Sequence, residues 1–140
     1  MRKIAAFELN HDTLTEGFYV SRRDGGVITY DMRFKKPNRG DYLSPAVMHT
    51  IEHLTASTLR NGAFGSNVVY FGPMGCRTGF YVLLFDLEYD AAKAYVKKSV
   101  EEALALNYIP GNKRAECGNY RSHNLKGAAR ELKKYLEFLR

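Results

Sequence analysis

Tryptophan is absent from this chain of 140 residues, and only two cysteines occur. Two cysteines cannot build the disulfide framework of a small secreted protein, so we expect Cys76 and Cys117 to be free thiols in a reducing compartment, available for metal binding or catalysis. No hydrophobic run approaches the roughly 20 residues of a membrane-spanning helix. The first residues also lack the apolar core of a signal peptide, which predicts a cytoplasmic protein without a membrane partner.

Positive charge is in excess, with 21 Lys and Arg against 15 Asp and Glu and a net charge of +6. The basic residues are spread along the chain without a recognisable nucleic-acid module, so we expect a solvated basic surface and no nucleic-acid partner. Hydrophobic residues make up 45% of the chain, as in ordinary globular proteins. The length, without repeats or linkers, predicts a single domain over residues 1–140.

Hydrophobic periodicity and turn residues predict an α+β domain, with a mostly antiparallel four-stranded sheet and helices packed on one face. Apolar and polar residues alternate after the Asp24-Gly25-Gly26 turn, which is typical of a sheet with one covered face. Ser44, Asp90 and Asn124 are the predicted helix N-caps. The elements are strands from Gly17 to that turn and at 27–34, 67–71 and 78–88, a helix from Pro45 to about Arg60, and two helices after Asp90 and Asn124, the last with an apolar stripe of Leu125, Ala129, Leu132, Leu136 and Leu139.

His49-Thr50-Ile51-Glu52-His53 is an H-x-x-E-H pattern in the first predicted helix. Residues four apart lie on one face of a helix, so both imidazoles can point at the same ion. Glu52 stays near that face and could move protons without using up a ligand position. The alternative is a surface helix that carries two histidines without a metal.

A catalytic metal usually takes three protein ligands and keeps one position open. Cys117 lies between the last two predicted helices, where a loop could return its thiolate to the first helix, although a lone cysteine is often only a buried apolar residue. Cys76 lies in a glycine-flanked turn, where Arg77 and a nearby cation would favour a thiolate that serves as acid, base or nucleophile. The alternative for Cys76 is a structural turn cysteine.

Five blocks of sequence, in an order and spacing that cover nearly the whole chain, make it resemble S-ribosylhomocysteine lyase, the LuxS family. The most specific are the P-M-G-C-R-T-G-F-Y and C-G-N-Y-x-x-H blocks. The matching blocks are Phe7-Glu8-Leu9-Asn10-His11, Asp31-Met32-Arg33-Phe34, His49-Thr50-Ile51-Glu52-His53-Leu54, Pro73-Met74-Gly75-Cys76-Arg77-Thr78-Gly79-Phe80-Tyr81 and Glu116-Cys117-Gly118-Asn119-Tyr120-Arg121-Ser122-His123.

This resemblance implies a cytoplasmic homodimer with its sites at the interface and one divalent metal per subunit, iron(II) first, with zinc or cobalt as substitutes. It implies cleavage of S-ribosylhomocysteine to homocysteine and 4,5-dihydroxy-2,3-pentanedione, the precursor of the quorum-sensing signal autoinducer-2, as part of the methyl cycle. The sugar carbonyl migrates before the sulfur leaves by β-elimination. The implied roles are metal ligands His49, His53 and Cys117, acid/base residues Glu52 and Cys76, and ribosyl-binding residues His11 and Arg33.

Three positions depart from the family pattern. Ala6 stands where the family usually has a serine, Tyr70 replaces an acidic residue near the homocysteine site, and Lys35 replaces a common cysteine. These changes favour a diverged lyase and leave open a relative that acts on another ribosyl thioether. A small H-x-x-E-H metallopeptidase and a non-catalytic relative stabilised by its metal are the remaining alternatives.

Overall fold

The computed structural model describes residues 1–140 and confirms the predicted α+β class. Its four strands form one antiparallel sheet in the order β1-β2-β4-β3, and the three long helices share a single hydrophobic core with one face of it. No helix combines the length and hydrophobicity needed to span a bilayer. The elements are α1 (Ala5–Glu8), β1 (Gly17–Asp24), β2 (Val27–Arg33), α2 (Pro45–Asn61), a 3-10 turn (Gly65–Asn67), β3 (Val68–Pro73), β4 (Gly79–Phe85), α3 (Tyr89–Leu104), α4 (Leu125–Leu136) and a 3-10 turn (Glu137–Leu139).

The first hairpin forms at the predicted turn. Asp24 pairs with Val27 across Gly25 and Gly26, and Gly25 has a φ of 60°, a left-handed conformation that glycine adopts without steric cost. The structure ends β2 at Arg33, one residue before the predicted end. It begins β3 at Val68 and stops β4 at Phe85, so the predicted bounds of 67–71 and 78–88 are wrong by one to three residues.

The expectation of one covered sheet face is only partly right. Tyr30 and Met32 face the core and are fully buried, but Asp31 and Arg33 on the opposite, outer face are also only 2% and 1% exposed. The N-terminal segment lies along this part of the outer face, where it shares a cavity with Asp31. Covering a carboxylate and a guanidinium is tolerable only because they pair with each other.

Helix α2 begins as predicted. The Ser44 hydroxyl accepts a hydrogen bond from the Val47 amide at 3.2 Å, Pro45 occupies the first turn, and the helix ends at Asn61, before Gly62. Its apolar face, which includes Ile51 and Leu54, is buried in the core. The H-x-x-E-H residues therefore lie along the half-buried side of a firmly packed helix.

Two details of the other helices differ from the predictions. Glu88, rather than Asp90, precedes α3, and its carboxylate accepts two hydrogen bonds from Arg23 instead of capping the helix. Asn124 caps α4 as predicted, accepting from the Gly127 amide at 2.8 Å. The buried stripe of α4, however, contains Ala128, Leu132 and Tyr135, while Leu125, Ala129 and Leu136 are only partly buried. Gly127 explains the shift because a Cβ there would lie 2.7 Å from Val47, so α4 approaches α2 along its small residues.

Candidate metal centre

His49 and His53 project from one side of α2. Their ring centroids are 4.7 Å apart and the ring planes are 82° apart. Each Nδ1 lies at hydrogen-bond distance from a backbone carbonyl, His49 at 2.8 Å from Ser122 and His53 at 2.7 Å from Pro110. A carbonyl can only accept, so Nδ1 carries the proton and Nε2 keeps its lone pair. This carbonyl support is typical of histidines that bind metal.

Cys117 completes a set of three donors. It is carried by the loop between α3 and α4, and its Sγ lies 3.3 Å from Nε2 of His49, 68 residues away in sequence. The Asn119 backbone N–H donates to the same sulfur at 3.4 Å. Two imidazole nitrogens and one sulfur suit a divalent ion of intermediate softness, and the group contains no carboxylate of the kind a metallopeptidase would supply.

His123 joins this group although it was not among the predicted site residues. One ligand atom from each of His49, His53, Cys117 and His123 can be chosen so that all four lie within 4.8 Å of one another. Burial lowers the pKa of His123, and the nearby His49 and His53 lower it further, which favours the neutral imidazole. Its Nε2 is buried without a hydrogen-bond partner. An unpartnered buried nitrogen facing donor atoms is what a cation-binding cluster presents, so the residues fit a metal.

Glu52 lies beside the donors rather than among them. It is half-buried on α2, and with His53 it lines a cleft of about 360 Å³ that also includes Tyr70 of β3 and Gly111 of the loop. A carboxylate at the wall of a cleft next to the donors is placed to exchange protons with a molecule held there. Tyr70, which stands where the family usually has an acidic residue, reaches the same cleft.

Cys76 lies elsewhere, exposed in the turn between β3 and β4. Its Sγ is 3.1 Å from the Thr78 hydroxyl and 4.0 Å from Nη1 of Arg33. The Arg77 guanidinium, which was expected to favour the thiolate, lies over the Tyr42 ring at 5.5 Å instead. Arg33 is therefore the cation beside Cys76.

Arg33 is held rigidly. Its Nε and Nη2 donate to the Asp31 carboxylate at 3.1 and 2.6 Å, and its Nη1 donates to the Thr78 hydroxyl at 2.8 Å. Burial raises the pKa of Asp31, and the hydrogen bonds and positive charge of Arg33 offset part of that rise. His11, half-buried with Nδ1 at 2.8 Å from the Leu9 carbonyl, contributes a weaker electrostatic effect on Asp31.

The predicted residues thus fall into two groups. The metal group contains His49, His53 and Cys117, with Glu52 beside them on α2. The outer-face group contains Cys76, Arg33 and His11. Within one chain, no hydrogen bond, ion pair or ring contact joins a side chain of the first group to one of the second.

Comparison with known proteins gives a consistent result. The family model described as S-ribosylhomocysteinase (LuxS) matches residues 4–139. The S-ribosylhomocysteine lyase of Borreliella afzelii (strain PKo) is 44% identical over 99% of this chain and 93% of that protein. The enzymes of the same name from Finegoldia magna and Clostridium acetobutylicum are each 42% identical, over 99% and 89% of this chain and 92% and 84% of their own lengths.

Proposed function

The chain belongs to the S-ribosylhomocysteinase (LuxS) family, and we propose on that premise that it is a metal-dependent carbon–sulfur lyase that cleaves S-ribosylhomocysteine to homocysteine and 4,5-dihydroxy-2,3-pentanedione. The observation that carries the proposal is the meeting of His49, His53 and Cys117 in a chain that matches the family over residues 4–139. This cluster requires a loop far along the chain to return its cysteine to the two histidines of α2. A surface helix with two chance histidines would not produce it.

The proposed metal ligands are Nε2 of His49, Nε2 of His53 and Sγ of Cys117, and the proposed native ion is iron(II), with zinc or cobalt able to replace it. A divalent ion with an open position supplies Lewis acidity, which stabilises negative charge on the sugar oxygens without a change of oxidation state. The carbonyls of Ser122 and Pro110 hold both imidazoles in the tautomer that this role needs.

Glu52 and Cys76 are the proposed acid/base residues. In the opened ribose the aldehyde is at C1 and the thioether at C5, so the carbonyl must reach C3 before the C4 proton is acidic and the C5 sulfur is a β leaving group. Each step of this carbonyl migration removes a proton from one sugar carbon and returns a proton to the neighbouring carbon. In the final elimination the sulfur leaves and is protonated to a thiol. A carboxylate at the cleft wall and a thiol beside a fixed guanidinium could share these transfers.

We further propose that the active site is completed by a second copy of the chain. The grouping supports this because, within one chain, no hydrogen bond or ion pair joins Glu52 to Cys76, and Cys76 does not line the cleft that Glu52 lines. Apolar side chains around the outer face could be covered in a homodimer. They are Phe7, 69% exposed, Tyr70, 53%, Phe85, 52%, and Leu9, 43%.

The free thiols at Cys76 and Cys117 support a reducing compartment, so we propose that the enzyme works in the cytoplasm. The pentanedione product is the precursor of autoinducer-2, and homocysteine returns to the methyl cycle. Autoinducer synthesis and recovery of homocysteine are therefore the proposed cellular roles of the reaction.

Release of a free thiol tests the lyase activity. Protein loaded with iron(II) without oxygen should release homocysteine thiol from S-ribosylhomocysteine, and Glu52→Ala should lose at least 100-fold in rate, as removal of a general acid/base typically does. Equal thiol release by the wild type and Glu52→Ala would contradict the proposal. Glu101→Ala, a substitution at an exposed glutamate of α3, is the matched control and should keep full activity.

A further inference from the structure

Thr78 is a polar residue that is almost fully buried, and it lies two positions after Cys76, just before β4. Its backbone carbonyl accepts hydrogen bonds from the amides of Phe34 at 2.9 Å and Lys35 at 3.0 Å. These two bonds tie the end of the Cys76 turn to the segment that follows β2. The Thr78 hydroxyl is therefore held in place, with the Cys76 sulfur 3.1 Å from its oxygen.

The directions of the hydrogen bonds around this hydroxyl can be assigned. Nη1 of Arg33 lies 2.8 Å from Oγ1 of Thr78. A guanidinium has donors only, so the Thr78 oxygen accepts this bond and keeps its own hydrogen free to donate. The Cys76 sulfur is the other atom that lies within hydrogen-bond distance of the hydroxyl. The Thr78 hydroxyl therefore donates to that sulfur, because a buried hydroxyl hydrogen without an acceptor is costly.

No other donor in the chain is as well placed for the sulfur. Nη1 of Arg33 is 4.0 Å from Sγ, at the outer limit of an N–H···S contact, and the Arg77 guanidinium lies over a tyrosine ring. Tyr81 makes no hydrogen bond to Sγ. Burial first, and the charge of Asp31 second, raise the pKa of Tyr81, so its phenol stays neutral near pH 7. Thr78 is thus the link between the buried guanidinium and the exposed thiol.

Such a link suits a cysteine that exchanges protons. Hydrogen bonds to the ionised form of a group favour that form, and the thiolate is the form that takes up a proton. Arg33 is itself held by two hydrogen bonds to the Asp31 carboxylate, which keeps Nη1 directed at Thr78. We propose that Thr78 is a positioning residue for the acid/base cysteine: its hydroxyl accepts from Arg33, donates to the Cys76 sulfur and so orients and stabilises the thiolate. This inference rests on the proposed lyase function and adds a residue to it.

Alkylation of Cys76 by iodoacetamide tests the inference without turnover. Iron(II)-loaded protein is alkylated without oxygen, and mass spectrometry of the cysteine peptides distinguishes Cys76 from Cys117. Thr78→Val keeps the branched shape of the side chain and removes the hydroxyl. At pH 6 its Cys76 should react about threefold more slowly than in the wild type, because a roughly tenfold loss of thiolate is partly offset by a more nucleophilic sulfur. At pH 10, where an ordinary thiol is mostly ionised, the order should reverse and the variant should react about twofold faster.

Two further variants serve as controls for this reversal. Thr78→Ser keeps a hydroxyl at the same position and should restore the wild-type order at both pH values. Thr29→Val makes the same change of side chain in β2, opposite Leu83 of β4, and should leave the alkylation of Cys76 unchanged. Cys76 rates in Thr78→Val that match the wild type at both pH values, or that rise at both, would overturn the inference.

Activity then separates this inference from the lyase function. In the thiol-release assay Thr78→Val should lower kcat about three- to tenfold with KM little changed, and Thr78→Ser should recover most of the loss. A wild type that cleaves S-ribosylhomocysteine while Thr78→Val shows no reversal would contradict the role of Thr78 alone. A reversal in a protein that cleaves no S-ribosylhomocysteine would support the hydrogen bond and contradict the lyase.

A wild-type measurement keeps the test decisive if Thr78→Val does not fold. Cys76 of the folded wild type is then compared with Cys76 of the same protein unfolded in urea. The folded protein should react faster at pH 6 and more slowly at pH 10, because only there does the sulfur accept the hydrogen bond. Equal rates in the folded and unfolded protein at both pH values would overturn the inference.

Discussion

Asp31→Asn should destabilise the protein by about 3–5 kcal/mol, the usual cost of breaking a buried ion pair by removing one partner. The side chains of Asp31 and Arg33 are only 3% and 2% exposed, so the substitution leaves the guanidinium buried with the Thr78 hydroxyl as its main partner. Arg22 and Asp24 form a matched control on the same hairpin, with side chains 54% and 55% exposed. Asp24→Asn should change stability by no more than about 1 kcal/mol.

Urea unfolding at a fixed protein concentration measures both changes, since dimer formation would make stability depend on concentration. The double substitution Asp31→Leu with Arg33→Met should cost less than Asp31→Asn alone because it removes both buried charges. Equal losses in Asp31→Asn and Asp24→Asn would refute the reasoning, and so would a double variant less stable than Asp31→Asn.

Two further predictions concern Tyr135 and Tyr70. Burial raises the pKa of Tyr135 well above its ordinary value of 10.0, so its contribution to stability is complete below pH 10 and is lost as the pH rises beyond that value. Tyr135→Phe loses the hydrogen bond to the Gly17 carbonyl, so it should lower the free energy of unfolding by about 1 kcal/mol at pH 7. Above pH 10 the stability of the variant should fall less steeply than that of the wild type, because the variant has no phenol at position 135 to ionise. A stability difference between the two proteins that stays constant from pH 7 to 11 would contradict this. Tyr70→Asp places an acidic residue in the cleft beside Glu52. A partly exposed ion pair between this carboxylate and the substrate should lower KM for S-ribosylhomocysteine by up to about fivefold, with kcat little changed. A KM that is unchanged or higher would show that an acidic residue at position 70 does not strengthen substrate binding.

The parts of this fold that could be predicted are those set by neighbouring residues. Ser44 and Asn124 cap their helices through hydroxyl and amide groups that reach amides three residues on. The Gly25-Gly26 turn fixes the register of its hairpin for a similarly local reason. The side of α2 that carries the two histidines follows from the helical repeat alone.

The parts that could not be predicted depend on contacts between distant segments. The leucine spacing of α4 correctly predicted that Leu132 and Leu139 are buried but missed Ala128 and Tyr135, because it does not show that Gly127 lets the helix approach Val47. Glu88 and Arg23, 65 residues apart, pair only once the sheet and α3 have assembled. His123 ends the C-G-N-Y-x-x-H block, but the spacing within that block does not show that the loop returns to α2 and brings His123 against His49 and His53.

X-ray absorption of the iron(II)-loaded wild type and Cys117→Ala tests the metal centre most directly. The account predicts one sulfur at about 2.3 Å and two imidazole nitrogens in the wild type, with lighter atoms making up the rest of the shell, and loss of the sulfur in the variant. A wild-type shell without sulfur, or a sulfur that persists after Cys117 is replaced, would contradict it.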